Sequence, residues 1–425
     1  MGELLGKSLS DNELTKIAKE TGCIQRQRKI SARSLLDSLI FSGINNYASL
    51  NQIAHDHHVQ YDILISKQAI DKRFTEKTEA FLANVLSCLI KDQLQVCVWD
   101  IKAFGVNKLK IKDSTKFNIP DRMKNMYPGT GGAGSGATIG LQVEIDLLNG
   151  HLGGLSLNSG LYSDQKESKS DLEQIEQGCL YIRDLGYISH RYMRKLKEEN
   201  SFFINRLPTR SEIYVKRKGL LIKLDMKALY RMLKRRGTSI DLEVLIGKDQ
   251  VPARLIGKLV PEDVRIDRLK KKECYNQKYK CKTSEDFIDR AGMNLMVTNF
   301  SSEQVSSEKI LEVYHLRWQI ELLFKAWKSM LKIHEVKDCK SQRLMCQLYC
   351  KLILAVLSWS FYSSLKTQIN ASLQKVYKHV VDTSQLIRNY IFKGCIRWLL
   401  IIEEIPLNIL INEQKKGKIR TSKII

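Results

Sequence analysis

Four side chains able to do chemistry recur at helical spacing between residues 314 and 328. Tyr314, Arg317, Glu321 and Lys328 stand at offsets 0, 3, 7 and 14. At about 100° per residue of α-helix, all four fall within an arc of roughly 60°. A carboxylate on such a stripe can bind a metal ion, and a hydroxyl, a guanidinium and an ammonium can contact phosphate. The rest of the stretch predicts a mostly buried helix whose polar stripe faces a cleft, because it is apolar at Leu316, Ile320, Leu323, Phe324, Trp327, Met330 and Leu331.

The composition favours a polyanionic partner. The 425 residues carry 69 Lys+Arg against 46 Asp+Glu, a formal net charge of +23. This balance is typical of nucleic-acid binding, and a basic protein on a membrane surface is the alternative class. We find no run of the roughly 18 apolar residues that a spanning helix needs, and the closest stretch, residues 352–365, suits a core helix. The N-terminal residues show no apolar signal region, so we expect a cytoplasmic protein.

The cysteines and histidines do not predict a metal centre. Ten cysteines are scattered without a CxxC pair or Cys/His ligand spacing, which indicates reduced, mostly buried thiols. Cys346 and Cys350 lie on an apolar helical stretch, and we expect them in the core. The cluster of His55, His57 and His58 could bind a metal, but we expect a solvated helix end.

Up to about residue 95 the apolar pattern is helical, which predicts an N-terminal helical domain at residues 1–95. Ser10 and Glu13 form a capping pattern at its start. Two short helices, at residues 49–57 and 66–74, are compatible with a helix-turn-helix that presents Gln68, Lys72 and Arg73 to DNA. An ordinary helical hairpin is the alternative.

From residue 96 the apolar period changes to two. An alternating strand over residues 108–115 carries Asp113 and is followed by a hairpin, a polar helical segment at 164–177, a strand ending at Asp184, a helix and a strand. This is the element order of a ribonuclease-H-like α/β fold, in which the first and fourth strands each deliver an aspartate to one cleft. We predict this core at residues 96–208 and 291–370, a β-rich insertion at 209–290, and a C-terminal helical tail at 371–425.

The spacing of the four side chains resembles the Y-(2)-R-(3)-E-(6)-K signature of DDE transposases of the insertion-sequence-four type. KDST at residues 112–115, with NIP at 118–120, resembles the first-aspartate region of that family, and RDLGY at 183–187 resembles the second. The resemblance covers about residues 96–365 and implies that Asp113, Asp184 and Glu321 are the catalytic, metal-binding acids. Asp100 and Asp146 are the alternative first acids. A salt-bridged amphipathic helix is the alternative interpretation of the signature stretch.

Three carboxylates suit a phosphodiester reaction with two Mg²⁺ ions, which prefer oxygen ligands. Two such ions about 3.5 to 4 Å apart activate a water or a 3′-hydroxyl and stabilise the leaving oxygen. Asp113 would bridge both ions, Asp184 and Glu321 would each complete one side, and Mn²⁺ is an expected substitute. The resemblance also implies that Tyr314, Arg317 and Lys328 hold the transposon end, with Arg206 as a further candidate.

The expected function is cut-and-paste transposition, in which a homodimer cleaves double-stranded DNA at terminal inverted repeats and transfers the ends into target DNA. A ribonuclease-H-like nuclease without strand transfer and a domesticated sequence-specific DNA-binding protein are the alternatives. The insertion resembles the β-rich insertion of the family, and its basic connector at residues 269–283 is either a solvated linker or a DNA contact. The Gly-rich segment at 128–137 lacks the Gly-Lys-Ser/Thr of a Walker loop, so we expect a mobile loop near the cleft.

Overall fold

The computed structural model describes residues 10–26, 29–44, 48–91, 105–131, 136–148, 150–207, 211–237, 239–366 and 371–382. These residues form two compact units. Unit 1 is drawn from Met1–Trp99, Ser114–Leu161 and Gln319–Lys418, and unit 2 from Asp100–Asp113, Tyr162–Trp318 and Ile419–Ile425. The domain boundaries expected from the sequence stay predictions.

The described helices, in chain order, are α1 (Asp11–Glu20), α2 (Ala32–Ile44), α3 (Leu50–Tyr61), α4 (Lys67–Asp71), α5 (Glu76–Lys91), α6 (Asp164–Ser170), α7 (His190–Glu198), α8 (Met226–Arg236), α9 (Glu262–Tyr279), α10 (Glu285–Ala291), α11 (Ser307–Tyr314), α12 (Trp318–Ser329), α13 (Ser341–Lys366) and α14 (Leu373–Asp382). The described strands are β1 (Lys108–Ile119), β2 (Ala137–Asp146), β3 (His151–Ser159), β4 (Cys179–Arg183), β5 (Phe202–Arg206), β6 (Ile213–Arg217), β7 (Leu220–Lys223), β8 (Ile240–Ile246), β9 (Val251–Leu259) and β10 (Met293–Thr298).

Unit 1 is mainly helical. Helices α1, α3 and α4 begin at serine N-caps, and the side chain of Ser10 accepts from the Glu13 amide as the capping pattern predicts. The histidine cluster differs from the expected solvated helix end, because His57 is buried and its Nδ1 lies 2.8 Å from Ser38 Oγ. Helix α4 spans only five residues, and DNA reading by α3 and α4 stays a prediction.

Helix α13 is the centre of unit 1 and packs against α2 and α5. Its segment Ser341–Ser363 is long and apolar enough to cross a membrane, but 94% of its most apolar window is buried within the protein. The apolar helix extends further than the closest stretch named from the sequence, residues 352–365, because it begins at Ser341. The core-helix interpretation agrees with this burial, and Cys346 and Cys350 are both buried there.

The strands of unit 1 follow the order β3, β2, β1, where the unit contains the second half of β1. β2 and β3 form the antiparallel hairpin expected from the sequence. Beyond β3 the chain enters unit 2. There the order is β1, β4, β5, β10, β9, β8, β6, β7.

In unit 2 the strands β1, β4 and β5 run parallel, and β10 returns antiparallel between β5 and β9. Its apolar core includes Tyr181, Tyr192, Met193, Leu196, Phe203, Leu229, Leu233, Val244, Ile246, Leu255 and Val297. The mixture of parallel strands and covering helices is α/β, and each unit's strand order is consistent with a ribonuclease-H-like core.

The chain between β5 and β10 contains the strands expected there, β6 to β9. Most of the basic connector forms helix α9, in which no residue is buried, and its contact with DNA stays a prediction. Lys, Arg, Glu and Leu are good helix formers and α9 contains neither Gly nor Pro, so local propensity outweighs the lack of an apolar stripe. Arg268 anchors α9 by donating to the carbonyls of Ala291 and Met293.

Candidate active site

Two acids and one arginine stand side by side where three parallel strands of unit 2 end their pairing. The last paired row consists of Lys112, Arg183 and Asn205. The next residues are Asp113, Asp184 and Arg206. Neighbouring strands are about 4.8 Å apart, so the two carboxylates are within reach of one bound ion.

Side-chain alternation explains which face these residues take. Asp113 and Asp184 each follow, two residues later, an isoleucine of their own strand that is fully buried, Ile111 and Ile182. In a strand, residues two apart share a face. The two acids therefore lie on the face that is apolar further back along each strand, and both are partly buried.

Strand β1 differs from the predicted element in length. The alternating pattern indicated a strand that ends near Asp113, whereas β1 continues to Ile119. The reason is that its second half pairs within unit 1, where β2 provides a neighbour. Asp113 consequently lies inside a continuous strand, whose backbone holds it from both sides.

The periodicity of the signature stretch, residues 314–328, predicted one α-helix. The structure instead divides the stretch into three elements. Helix α11 ends at Tyr314, His315–Arg317 form a 3₁₀ turn, and α12 begins at Trp318. A 3₁₀ turn has about 3.0 residues per turn rather than 3.6, so the arc calculated for an unbroken α-helix does not hold across it. Tyr314 is only 4% exposed, which places it inside unit 2 rather than on an open stripe.

Contacts within unit 2 bring the 3₁₀ turn to the acids. Arg317 Nη1 lies 3.4 Å from Asp113 Oδ2, and both side chains are more than four-fifths buried. The Arg206 guanidinium lies 5.6 Å from the centre of the Tyr314 ring. Burial raises the pKa of Tyr314, while the charges of Arg206 and Arg317 act in the opposite direction and that of Asp184 adds to the rise. The five residues that unit 2 brings together are Asp113, Asp184, Arg206, Tyr314 and Arg317.

Glu321 and Lys328 belong to α12 in unit 1. Glu321 is in the first turn and Lys328 in the last, and both are half-buried. Burial lowers the pKa of Lys328. The apolar side of α12 is buried as predicted, at Ile320, Leu323, Phe324, Ala326 and Trp327. Glu321 follows Arg317 by four residues, which is about one helical turn along the chain.

The donor atoms in unit 2 suit a hard cation. Asp113 and Asp184 supply adjacent carboxylates, and oxygen ligands are those that Mg²⁺ prefers. Among the residues that the structure describes, no group of three His, Cys, Asp or Glu is close enough to hold a metal ion. By their donor chemistry the two carboxylates suit such an ion.

Some residues around the acids were not singled out by their sequence pattern. The lysines of KLKIKD look like the solvated face of an alternating strand, yet Lys110 and Lys112 are both buried. A Cβ added to Gly186 of RDLGY would lie 2.9 Å from Asp164 Oδ2, so the glycine allows α6 to approach the second acid. Long-range pairing causes both features, and no local signal in the sequence reveals it.

The alternative first acids are less suited to the site. Asp146 is buried at the end of β2 in unit 1, where its Oδ1 accepts from the Leu148 amide at 3.1 Å. Its carboxylate therefore caps the β2–β3 turn. Asp100 lies outside the described residues, as does the middle of the Gly-rich segment, residues 132–135.

Comparison with known proteins is consistent with this geometry. Residues 108–357, more than half of the chain, match the family model described as the transposase DDE domain. The chain is 31% identical over 372 residues to a transposase for insertion sequence element IS231E of Bacillus thuringiensis subsp. finitimus, covering 83% of this chain and 77% of that protein. It is 28% identical over 418 residues to a transposase for insertion sequence element IS1151 of Clostridium perfringens, covering 93% and 88%.

A shorter match, 28% over 185 residues, is to a putative transposase InsL for insertion sequence element IS186A of Escherichia coli strain K12, with 41% of this chain and 49% of that protein covered. The matched family region begins at the first residue of β1 and includes Asp113, Asp184 and Glu321. The chain therefore belongs to the DDE transposase family of insertion sequences and is an enzyme that acts on DNA.

Proposed function

We propose that Asp113, Asp184 and Glu321 are the catalytic acids of a cut-and-paste reaction at terminal inverted repeats. The observation that carries this proposal is the adjacency of Asp113 and Asp184 beside Arg317, which precedes Glu321 by one helical turn. Glu321 is assigned as the third acid by its place in the Y-(2)-R-(3)-E-(6)-K signature. A ribonuclease-H-like core would place Asp113 and Asp184 in one cleft.

The DDE domain implies dependence on a divalent metal, and we propose two Mg²⁺ ions, with Mn²⁺ as a substitute. Asp113 would contact both ions, and Asp184 and Glu321 one each. Bound metal supplies an activated water or 3′-hydroxyl and stabilisation of the leaving oxygen. The chain's own contribution is a pair of carboxylates fixed on neighbouring strands, since fixed ligands lose little freedom when they bind an ion.

The basic side chains around the acids are proposed to hold the DNA end. Arg206 is exposed, and Arg317 can offer a bidentate guanidinium to a phosphate. The Tyr314 hydroxyl, buried beside Arg206 and Arg317, is proposed to contact the same phosphate. Lys328, in the last turn of α12, is proposed to bind the same strand further along.

Single substitutions test the proposal. We expect Asp113→Ala, Asp184→Ala and Glu321→Ala each to lower cleavage of a labelled terminal-repeat duplex in Mg²⁺ by about a thousandfold or more, because metal ligation is worth several kcal/mol in the transition state. DNA binding should stay largely intact, since basic side chains provide most of it. Asp249→Ala, which changes an exposed acid of unit 2, is the matched control and should cleave normally.

The same variants separate the proposal from its alternatives. A pre-cleaved end with a free 3′-hydroxyl should be joined to target DNA by the natural protein and not by the three variants. A natural protein that cuts but never joins would be a nuclease, and one that binds without cutting would be a domesticated DNA-binding protein. Cleavage by Asp113→Ala at the natural rate would refute the assignment of the first acid.

A further inference from the structure

A buried group of four charges lies on the opposite face of the strands that carry the two aspartates. Lys112 and Arg183 are the strand residues. Glu167 and Asp171 come from the covering segment, residues 164–177, and pair with them. The four side chains are at most 12% exposed. Two positive and two negative charges make the group neutral, as a buried cluster requires.

Each cation of this group immediately precedes a proposed metal ligand. Lys112 comes before Asp113, and Arg183 comes before Asp184. Successive side chains of a strand point to opposite faces. Whatever fixes Lys112 and Arg183 from one side therefore fixes the backbone from which the two acids project on the other.

Asp171 ties the two strands together. Its Oδ1 accepts from Lys112 Nζ at 2.7 Å, and its Oδ2 accepts from Arg183 Nη1 at 2.5 Å. Lys112 and Arg183 are register partners in β1 and β4, so one carboxylate bridges the last paired row. Glu167 adds a second bond to Lys112 at 2.5 Å.

Aromatic rings restrict the arginine further. The Arg183 guanidinium lies 5.4 Å, 5.9 Å and 4.8 Å from the ring centres of Tyr181, Tyr187 and Tyr192. Tyr187 is part of the RDLGY motif, so the segment just after Asp184 packs on the same guanidinium. Cations over aromatic faces are attracted by them, most strongly when both are buried.

We propose that Asp171 is a positioning residue for the metal site, acting through Lys112 and Arg183 to hold Asp113 and Asp184 at a fixed separation. This inference rests on the proposed function of those two acids. Two ionised carboxylates side by side repel each other until a cation binds. A bridge behind the strands opposes that repulsion and preorganises the pair, as supporting residues do for metal ligands in general.

Asp171→Asn is the principal test, because it keeps the shape of the side chain and removes its charge. We expect Mn²⁺ affinity, measured from the paramagnetic resonance signal of the free ion, to fall by roughly tenfold to a hundredfold. The Mg²⁺ concentration for half-maximal cleavage should rise in parallel, while the maximal rate at saturating Mg²⁺ recovers most of its natural value. A merely structural role would instead reduce the fraction of active protein at every Mg²⁺ concentration.

Glu176→Gln is the matched control. Glu176 pairs with Lys108 and Lys110 on the same face of β1, but further from the acids. Glu176→Gln removes one negative charge from the same covering segment but does not affect the bridge between Lys112 and Arg183. Mn²⁺ affinity should therefore stay within about twofold of that of the natural protein, well below the tenfold loss expected of a supporting residue.

A double variant, Lys112→Met with Glu167→Gln, keeps the group neutral and remains informative if Asp171→Asn fails to fold. It leaves Asp171 bonded to Arg183 alone, so β1 is no longer tied to β4, and Mn²⁺ affinity should again fall. Natural Mn²⁺ affinity in either folded variant would overturn the inference. Asp113→Ala separates the two proposals: if it too keeps natural affinity, the metal site itself is misassigned, whereas loss in Asp113→Ala alone rejects only the role of Asp171.

Discussion

At the scale of single residues, Arg317 pairs with Asp113, so a proposed phosphate contact lies beside a proposed metal ligand. A guanidinium 3.4 Å from a carboxylate oxygen stabilises the ionised acid. The same guanidinium has further donors in a planar fork, and phosphate is a bidentate partner for it. We propose that Arg317 pairs with the first acid before metal binds and contacts the scissile strand afterwards.

Phosphate contact by Arg317 and Lys328 has a measurable signature in salt. We expect Arg317→Ala and Lys328→Ala each to weaken binding of a pre-cleaved end and to reduce the slope of log affinity against log salt by about 0.9, the value for one phosphate. Fluorescence anisotropy over a salt series measures it. Arg194→Ala, an exposed arginine paired with Asp249, is the control, and slopes equal to the natural one in both test variants would contradict the contacts.

Lys351 gives a prediction for pH. Burial lowers the pKa of Lys351 to about 8, and its Nζ donates to the carbonyls of Lys332 and Glu335. In the unfolded chain its pKa is about 10.4. Between these values the unfolded state holds a proton that the folded state has released, so this residue's contribution to the free energy of unfolding rises with pH.

The comparison of the natural protein with Lys351→Met isolates that contribution. From pH 8 to 10 the free energy of unfolding of the natural protein, minus that of the variant, should increase by about 1 kcal/mol per pH unit. Urea unfolding at each pH measures the difference. A flat difference would show that Lys351 keeps its ordinary pKa in the folded protein, and a falling one that its pKa is raised there; either would contradict the prediction.

At the scale of elements, the helix that carries Glu321 is anchored by buried polar contacts as well as apolar ones. Trp327 Nε1 of α12 donates to Tyr377 Oη of α14 at 2.8 Å, and that hydroxyl donates to the Ala355 carbonyl of α13 at 2.9 Å. One phenol thus connects three helices of unit 1. Burial raises the pKa of Tyr377, so the hydroxyl stays protonated and able to donate.

Tyr377→Phe should lower the free energy of unfolding by about 1 to 3 kcal/mol, because it leaves the buried indole N–H of Trp327 without a partner and removes one donor from the Ala355 carbonyl. Thermal unfolding followed by circular dichroism measures the loss. Tyr214→Phe, which changes a partly buried tyrosine of unit 2 that donates to Glu212, is the control and should cost less. Equal losses in the two variants would contradict the anchoring role.

Element type was largely predictable from periodicity and capping. The serine N-caps at Ser10 and Ser66, the β2–β3 hairpin, β4, β5 and the buried side of α12 all follow from local pattern. Asp113 and Asp184 were identified by resemblance to the family's KDST and RDLGY motifs. The two acids are adjacent because β1 and β4 pair in parallel register. The order of elements along the chain predicts this register only when the fold is already known.

The remaining features depend on tertiary pairing. The 3₁₀ turn at His315–Arg317 interrupts a sequence whose period fits one α-helix, and nothing in those residues forbids the regular form. The lysines of β1 have the pattern of a solvated face, but the acids of the segment at 164–177 neutralise them and allow their burial. Such charge pairs join residues about sixty positions apart, beyond the reach of local periodicity.

At the scale of the whole molecule, we propose that net charge controls the association of two copies of the chain. A formal net charge of +23 makes two copies of the chain repel each other, and DNA phosphates neutralise that charge. A chain with one acid triad has one active site, whereas cut-and-paste transposition must join two ends to one target. The simplest assembly with two such sites is a pair of subunits related by a two-fold axis.

The free protein should therefore be largely monomeric at low concentration, and a complex of two proteins and two DNA ends should form when a terminal-repeat duplex is added. Light scattering of the purified protein with and without that duplex measures the mass of each species. A random duplex of equal length and charge is the control, because screening alone would dimerise the protein on any DNA. Raising the salt concentration should dissociate the complex, since phosphate contacts weaken with salt. A species that stays at one protein per duplex while completing strand transfer of both ends would exclude the dimer.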